Sequence, residues 1–196
     1  MSKKESVQFN LAEMCQAIRM FLEGAGLDTT SKELENTPEA VAKAWRENFL
    51  NGYELDPETV LKGLYESENT ADRSEVVALT GIPFHGMCPH HLLPFHGRAY
   101  VSYIPGGKLA PLSSLARLVD CFAHRLEIQE HVTRQIAEAL QVHLQAHGTA
   151  VALQANQTCL TARGMNRRGT TTLTKHFTGE FINDTVLRSE FMKGIE

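Results

Sequence analysis

The 196-residue chain has few cysteines, one tryptophan and no long apolar run. Its four cysteines are too few for a disulfide scaffold at this length. No apolar stretch approaches the roughly 20 residues that a membrane-spanning helix needs. Basic residues are not in excess either, because 19 Lys and Arg stand against 23 Asp and Glu. The composition therefore speaks against a membrane protein and against a general nucleic-acid binder.

The N-terminal stretch MSKKESVQFN has two lysines but no apolar core behind them, which is not typical of a secretory signal. A cytoplasmic location is expected. The length fits one domain with a helical extension, and 42% hydrophobic residues are enough for a core.

Residues 1–72 are predicted to form an N-terminal helical segment. Apolar residues at helical spacing predict a helix over 9–24 that ends at glycine. Thr37-Pro38 begins the next, which we expect to reach about residue 51, and Asp56-Pro57 begins a shorter third.

Residues 73–196 change to alternating strands and helices. Strands are predicted over 75–82, 98–104, 149–156 and 169–181. Two helices separate the second strand from the third, the first capped by Ser113 and the second a long helix with an i,i+4 apolar row that ends near His147. A last helix is predicted over 186–195. This order favours an α+β fold with largely antiparallel pairing.

Metal-binding side chains are concentrated in GMCPHHLLPFHG, residues 86–97. If this backbone is extended, His90 and His91 point to opposite sides, so that one shares a metal with Cys88 and the other faces a substrate. Cys159 is the natural third ligand. The alternative is a pair of surface histidines beside a buried thiol.

Two thiolates and one imidazole suit zinc, and a catalytic zinc site leaves one position for water. That water has a pKa lowered toward neutrality, which provides a hydroxide nucleophile. Cys15 and Cys121 lie within helical patterns and are predicted to be buried thiols instead. His85 and His96 are predicted to take no part in the site.

Several longer stretches make the sequence similar to the GTP cyclohydrolase I family. They are TPEAVAKAW, MCPHHLLPFHG, VSYIPGGKLAPLSSLARLVDCFAHRLEIQEHVTRQIAEAL, TCLTARG and TTTLTKHFTGEF. The resemblance implies a tunnelling fold over 73–196 and a toroidal homodecamer. It also implies a zinc enzyme of tetrahydrofolate biosynthesis that binds a purine nucleotide, opens the guanine imidazole ring at C8, releases formate and forms 7,8-dihydroneopterin triphosphate.

The resemblance also assigns residues. The zinc ligands of the family match Cys88, His91 and Cys159, and its second histidine, beside the substrate, matches His90. The glutamate that binds the guanine edge matches Glu130. Further substrate-binding positions match Gln129, Ser113, Arg117, Arg163 and Lys43.

The chain departs from the family at four positions. Pro89 replaces a glutamate, and Gln157 replaces a catalytic histidine that donates a proton during ring opening. Ser114 and Ala40 replace a lysine and an arginine expected near the triphosphate. An amide cannot exchange a proton near neutral pH as imidazole does.

Three hypotheses follow. The first is a zinc-dependent GTP cyclohydrolase. The second is a divergent enzyme that acts on a less phosphorylated purine or pterin-type ring, or stops at the ring-opened formamide. The third is a non-catalytic oligomer that binds a pterin or nucleotide.

Overall fold

The computed structural model describes residues 7–66, 75–162 and 169–195. Within these ranges, no helix combines the length and the apolar character needed to cross a membrane.

Short helices form the N-terminal part, as predicted. They are α1 (Leu11–Gly24), α2 (Thr37–Ala44) and α3 (Pro57–Val60). Asn10 and Asp56 cap α1 and α3 through their side chains, which accept hydrogen bonds from backbone N–H groups. The second helix does not run unbroken to residue 51, because it changes to a π-helical turn over Trp45–Phe49.

Four antiparallel strands form the main sheet. They are β2 (Val77–Met87), β3 (Pro94–Ile104), β5 (Gly148–Gln157) and β6 (Thr172–Gly179), in the spatial order β2-β3-β5-β6. A separate two-stranded sheet pairs β1 (Tyr65–Glu66) with β4 (Lys108–Leu109). The predicted α+β class and antiparallel pairing are confirmed, although β2 and β3 are longer than expected because both continue into the hairpin between them.

The core lies between the sheet and two helices, α4 (Leu112–Ala123) and α5 (Gln129–His143). The predicted apolar row of α5 is buried, with Val132, Ile136 and Leu140 each 0% exposed. Two expectations need correction. Pro111, not Ser113, is the N-cap of α4, and α5 ends at His143 rather than near His147.

The remaining helices are α6 (Thr158–Thr161), α7 (Glu180–Asn183) and α8 (Thr185–Lys193). Phe181 of α7 forms a second small core with Ile104 and Ala150, against which residues of α8 pack. This cluster holds the C-terminal helices against the sheet.

The N-terminal segment is attached to the end of α4 by hydrogen bonds. The backbone N–H of Gly52 donates to the carbonyl of His124 at 3.1 Å, and Nε of Arg125 donates to the carbonyl of Gly52 at 3.0 Å. The Tyr53 hydroxyl accepts from the N–H of Leu126 at 3.2 Å. The division into 1–72 and 73–196 stays a prediction.

Candidate active site

The loop between β2 and β3 is a closed turn. The N–H of Cys88 donates to the carbonyl of Leu93 at 3.0 Å, and the N–H of Leu92 donates to the carbonyl of Cys88 at 2.9 Å. Leu92 has a left-handed φ of 52°, which lets the chain reverse. Pro89 lies at the start of this turn, where its fixed φ favours the bend and its missing N–H costs no strand hydrogen bond.

Both neighbouring histidines approach the same sulfur. Nδ1 of His90 lies 3.8 Å from Sγ of Cys88, and Nδ1 of His91 lies 3.9 Å from it. Residues 89–91 form a turn, so the extended backbone that would place the two rings on opposite sides is not present.

Cys159 reaches this loop through strand pairing. Phe95 at the start of β3 pairs with Gln157 at the end of β5, and the chain then enters α6, which contains Cys159. The Thr158 hydroxyl donates a hydrogen bond to the carbonyl of Pro94 and fixes α6 beside the loop. The donor atoms of Cys88, His91 and Cys159 all lie within 4.8 Å of one another.

This donor set fits a zinc ion. A tetrahedral ion with the usual zinc–sulfur and zinc–nitrogen bond lengths separates its ligand atoms by about 3.5–3.8 Å. The distance of 3.9 Å between Sγ of Cys88 and Nδ1 of His91 is close to that separation. Cys88 is buried, while His91 is exposed, so the group lies at the surface end of the core.

A cavity of about 300 Å³ adjoins the cysteines. Its lining includes the predicted residues Cys88, His90, Gln129, Glu130, Gln157 and Cys159. The volume is at the small end of ligand sites, which run from roughly 300 to 1,000 Å³. Six side chains from the loop, α5, the end of β5 and α6 thus meet at one concave surface.

Gln129 is the most enclosed of these residues, with 2% exposure. Its Nε2 donates to the carbonyl of Leu153 at 2.8 Å, and its Oε1 accepts from Nε2 of Gln157 at 2.7 Å. Both ends of its amide are therefore engaged within the protein. Glu130, the next residue, is exposed at the N-terminus of α5.

Three predicted substrate-binding residues of the described part of the chain do not line this cavity. Ser113 and Arg117 are exposed on α4, and neither lines the cavity. Lys43 lines a different groove, between α1 and α2. Arg163 lies outside the described residues. Their assignment stays a prediction.

Sequence reasoning missed Glu127, which lines the cavity directly before α5. Its Oε1 accepts from the N–H of Ile128 at 3.0 Å and lies 3.0 Å from Nδ1 of His131. A carboxylate one residue before the N-cap of a helix was the available signal. The prediction for Cys121 is confirmed, since it is 0% exposed, whereas Cys15 is only half-buried.

The family model described as GTP cyclohydrolase I matches residues 14–196 of this chain. The chain belongs to the GTP cyclohydrolase I family. The match contains the whole of the described site, from the β2–β3 loop to α6. The family that the sequence motifs predicted is confirmed.

Curated relatives are similar to this chain along nearly its whole length. GTP cyclohydrolase 1 of Allorhizobium ampelinum is 42% identical over 180 residues, which cover 92% of this chain and 88% of that protein. GTP cyclohydrolase 1 of Bacteroides thetaiotaomicron is 38% identical over 196 residues, covering 100% and 97%. GTP cyclohydrolase 1 of Halalkalibacterium halodurans is 41% identical over 182 residues, covering 92% and 94%.

One solved structure, the archaeosine synthase QueF-Like in the apo form, overlaps with 55% of this chain and 97% of that chain. The TM-score is 0.44 at 16% identity, and this partial overlap adds nothing to the family assignment.

Proposed function

We propose that this protein is a zinc-dependent GTP cyclohydrolase, which opens the imidazole ring of guanine at C8 by hydrolysis and releases formate. The observation that carries the proposal is the convergence of Cys88, His91 and Cys159. Two of these residues, Cys88 and Cys159, line the same cavity as Glu130 and Gln157. Two thiolates and one imidazole leave one tetrahedral position open, as a hydrolytic zinc site requires.

In this proposal Cys88, His91 and Cys159 hold the zinc ion. When bound, zinc lowers the pKa of a water molecule in the open position toward neutrality and thus supplies a nucleophile at physiological pH. His90 lies beside the same sulfur, 3.8 Å from it, but outside the three-residue group. It is left to contact the substrate.

Glu130 is assigned to the guanine edge. A carboxylate accepts two parallel hydrogen bonds, which matches a ring N–H beside an exocyclic amine. Its position in the first turn of α5 also suits a negative charge, because the helix dipole is positive there.

A second candidate is supported by the charge of the cavity. Among its described lining residues are two glutamates, Glu127 and Glu130, and neither lysine nor arginine. A triphosphate needs cationic partners, so this lining favours a divergent enzyme that acts on a less phosphorylated ring or stops at the ring-opened formamide. The neutral residues Ala40 and Ser114 point in the same direction.

One assay separates the candidates. Zinc-loaded protein is incubated with GTP, GMP, guanosine and guanine in parallel, and formate release and pterin fluorescence are followed. Fluorescent product from GTP supports the cyclohydrolase. A ring-opened formamide found by mass spectrometry without formate or fluorescence, or turnover of only a less phosphorylated compound, supports the divergent enzyme. Binding without any product contradicts both and supports a non-catalytic binding protein.

Membership of the family supports three further parts of this proposal. They are a homodecamer, a cytoplasmic location and a role in tetrahydrofolate biosynthesis. Light scattering of the purified protein tests the assembly, since a decamer of 21.8 kDa chains is distinct from a dimer or a pentamer.

A further inference from the structure

A hydrogen-bonded chain of buried and half-buried side chains starts at Thr133 on α5. The Thr133 hydroxyl donates its single proton to the carbonyl of Gln129 at 2.7 Å. Thr133 and Thr174 also lie within hydrogen-bond distance, at 2.6 Å between hydroxyl oxygens. Because the proton of Thr133 is already used, Thr174 is the donor in that pair. Its oxygen is then available only as an acceptor for other groups.

The orientation of the Gln129 amide follows. One end of the amide faces the hydroxyl of Thr174 at 3.1 Å, the carbonyl of Leu153 at 2.8 Å and the carbonyl of Thr172 at 3.1 Å. All three are acceptors, so this end is the NH2 group, and the other end is the oxygen. The two possible orientations of an amide are often ambiguous, but these partners leave only one.

The same logic continues to Gln157. Since Gln129 presents its oxygen, the group of Gln157 that lies 2.7 Å from it is the NH2 group. The side-chain oxygen Oε1 of Gln157 has no hydrogen-bond partner among the described residues, and Gln157 lines the cavity beside Cys159. The cavity therefore has a fixed acceptor at this point.

We propose that Gln129 is a positioning residue which locks Gln157 as a hydrogen-bond acceptor, so that the cavity prefers a purine ring with an N–H next to the attacked carbon. The substrate part of this inference rests on the proposed function. In guanine, C8 is bonded to N7 and N9, and N9 carries the ribose, so N7 is the ring atom that can meet Gln157.

The chemistry of ring hydration makes such an acceptor useful. When water adds across the C8–N7 bond, its hydroxyl joins C8 and its remaining proton goes to N7. The unreacted ring presents a lone pair at N7, which repels the oxygen of Gln157, whereas the hydrated ring presents an N–H, which that oxygen binds. The site thus binds the hydrated ring better than the aromatic one, which is the condition for accelerating the addition.

The fixed orientation of the Gln157 amide, called the lock below, is tested without any substrate. The side-chain NH2 signals of Gln157 are assigned in a ¹⁵N–¹H NMR spectrum by their loss in Gln157→Met. We expect one of these protons to exchange with solvent at least tenfold more slowly than the free amide, and to lose that protection in Gln129→Met. Thr174→Val, which removes one partner of Gln129, is a milder variant in case Gln129→Met does not fold. Fast exchange in the unaltered protein would overturn the lock.

The selectivity is tested with two unreactive nucleotides and the zinc-loaded protein. 8-Oxo-GTP carries an N–H at position 7, and 7-deaza-GTP carries only a C–H. We expect the ratio of their dissociation constants, measured by calorimetry, to change by roughly 3- to 10-fold in Gln157→Met and in Gln129→Met. Contacts of the 8-oxo group elsewhere cancel, because they are common to all variants.

Gln141→Met is the matched control. Gln141 is also on α5, and its Oε1 accepts a hydrogen bond from Thr178 on β6 at 2.5 Å, but it does not line the cavity. We expect both the exchange rate and the ratio to stay unchanged there. An unchanged ratio in Gln157→Met would refute the selectivity. Failure of the unaltered protein to bind either nucleotide would refute the proposed function and with it the selectivity, while the NMR result still decides the lock.

Discussion

The imidazole rings of His85 and His124 lie 4.3 Å apart between centroids, with their planes tilted by 32°. His124 is 7% exposed, its Nδ1 lies 2.8 Å from Oδ1 of Asn51, and its Nε2 is buried without a hydrogen-bond partner. Burial, together with the neighbouring His85, lowers the pKa of His124 from 6.5 to about 4. The fold therefore holds this ring in its neutral form.

Stability is predicted to depend on pH through His124. In the unfolded chain the ring takes up a proton near pH 6.5, whereas in the folded protein it does so only near pH 4, so the unfolded state binds more protons between these values. The free energy of unfolding should fall by about 2–3 kcal/mol as the pH drops through this window. Asp120, whose pKa is raised by burial, acts in the opposite sense, since its ionisation at higher pH destabilises the fold.

The measurement is urea unfolding at several pH values between 4.5 and 7.5, an interval set by the ordinary titration range of histidine. His124→Phe keeps a ring against His85 but cannot bind a proton, and it should flatten most of the slope. His131→Phe, which changes an exposed histidine on α5, should leave the slope in place. An equal slope in the protein and in His124→Phe would show that other groups cause it.

Gly52 is predicted to tolerate no side chain. A Cβ atom there would lie 2.6 Å from the carbonyl oxygen of His124 and 2.7 Å from that of Cys121, both backbone atoms that cannot turn aside. Gly52→Ala should destabilise the protein by about 1–3 kcal/mol, measured by urea unfolding. Gly24→Ala, in the last turn of α1 with nothing within 4 Å, should be neutral or slightly stabilising. Equal effects of both changes would contradict the close contact.

Substitutions of the two adjacent histidines, His90 and His91, are predicted to have different effects on zinc binding. His91→Ala, Cys88→Ser and Cys159→Ser should each lower zinc affinity by more than the ~10–100-fold that loss of an outer partner costs. His90→Ala should retain zinc and lose activity, because His90 lies outside the three-residue group. Elemental analysis after dialysis measures the zinc content of each variant.

Cys15→Ser is the control for that series, since Cys15 lies in the groove between α1 and α2. It should keep both zinc and activity. Zinc retained in Cys88→Ser, or lost in His90→Ala, would mean that the ligand set is different.

Glu130 is predicted to act on the substrate and not on the metal. Glu130→Ala should weaken guanine nucleotide binding by at least ~10-fold, because hydrogen bonds to a charged acceptor are lost, while zinc content stays the same. Calorimetric titration with 7-deaza-GTP measures the loss. Glu138→Ala removes an exposed carboxylate on the same helix, 3.8 Å from Arg134, and should bind normally. Unchanged affinity in Glu130→Ala would place ring recognition elsewhere.

The sequence predicted the order of the longer elements and the three residues that could hold a metal, whereas β1, β4, α6 and α7 were not predicted. Helical and alternating apolar patterns predicted the strands and the helices α4 and α5, because burial of one face leaves a period in the sequence. The motif around Cys88 and the later Cys159 indicated zinc, because these side chain types are what that ion selects.

Local conformations that depend on closure of the fold were not predictable. The turn over residues 89–91 depends on the β2–β3 hairpin, and it brings both histidines to one sulfur where an extended chain would separate them. Likewise, the sequence could not show that the side chain of Gln129 donates to the carbonyls of Leu153 and Thr172, on two other strands.

The amino-acid sequence by itself therefore determined the family, the α+β architecture and the identity of the three residues that could hold a metal, because composition, periodicity and motif spacing are local properties of the chain. Only the tertiary structure decided which way the amides of Gln129 and Gln157 face and that His124 is kept neutral. Hydrogen-bond direction and burial depend on neighbours such as Thr174 and Asn51, which are remote along the chain and meet these residues only after folding.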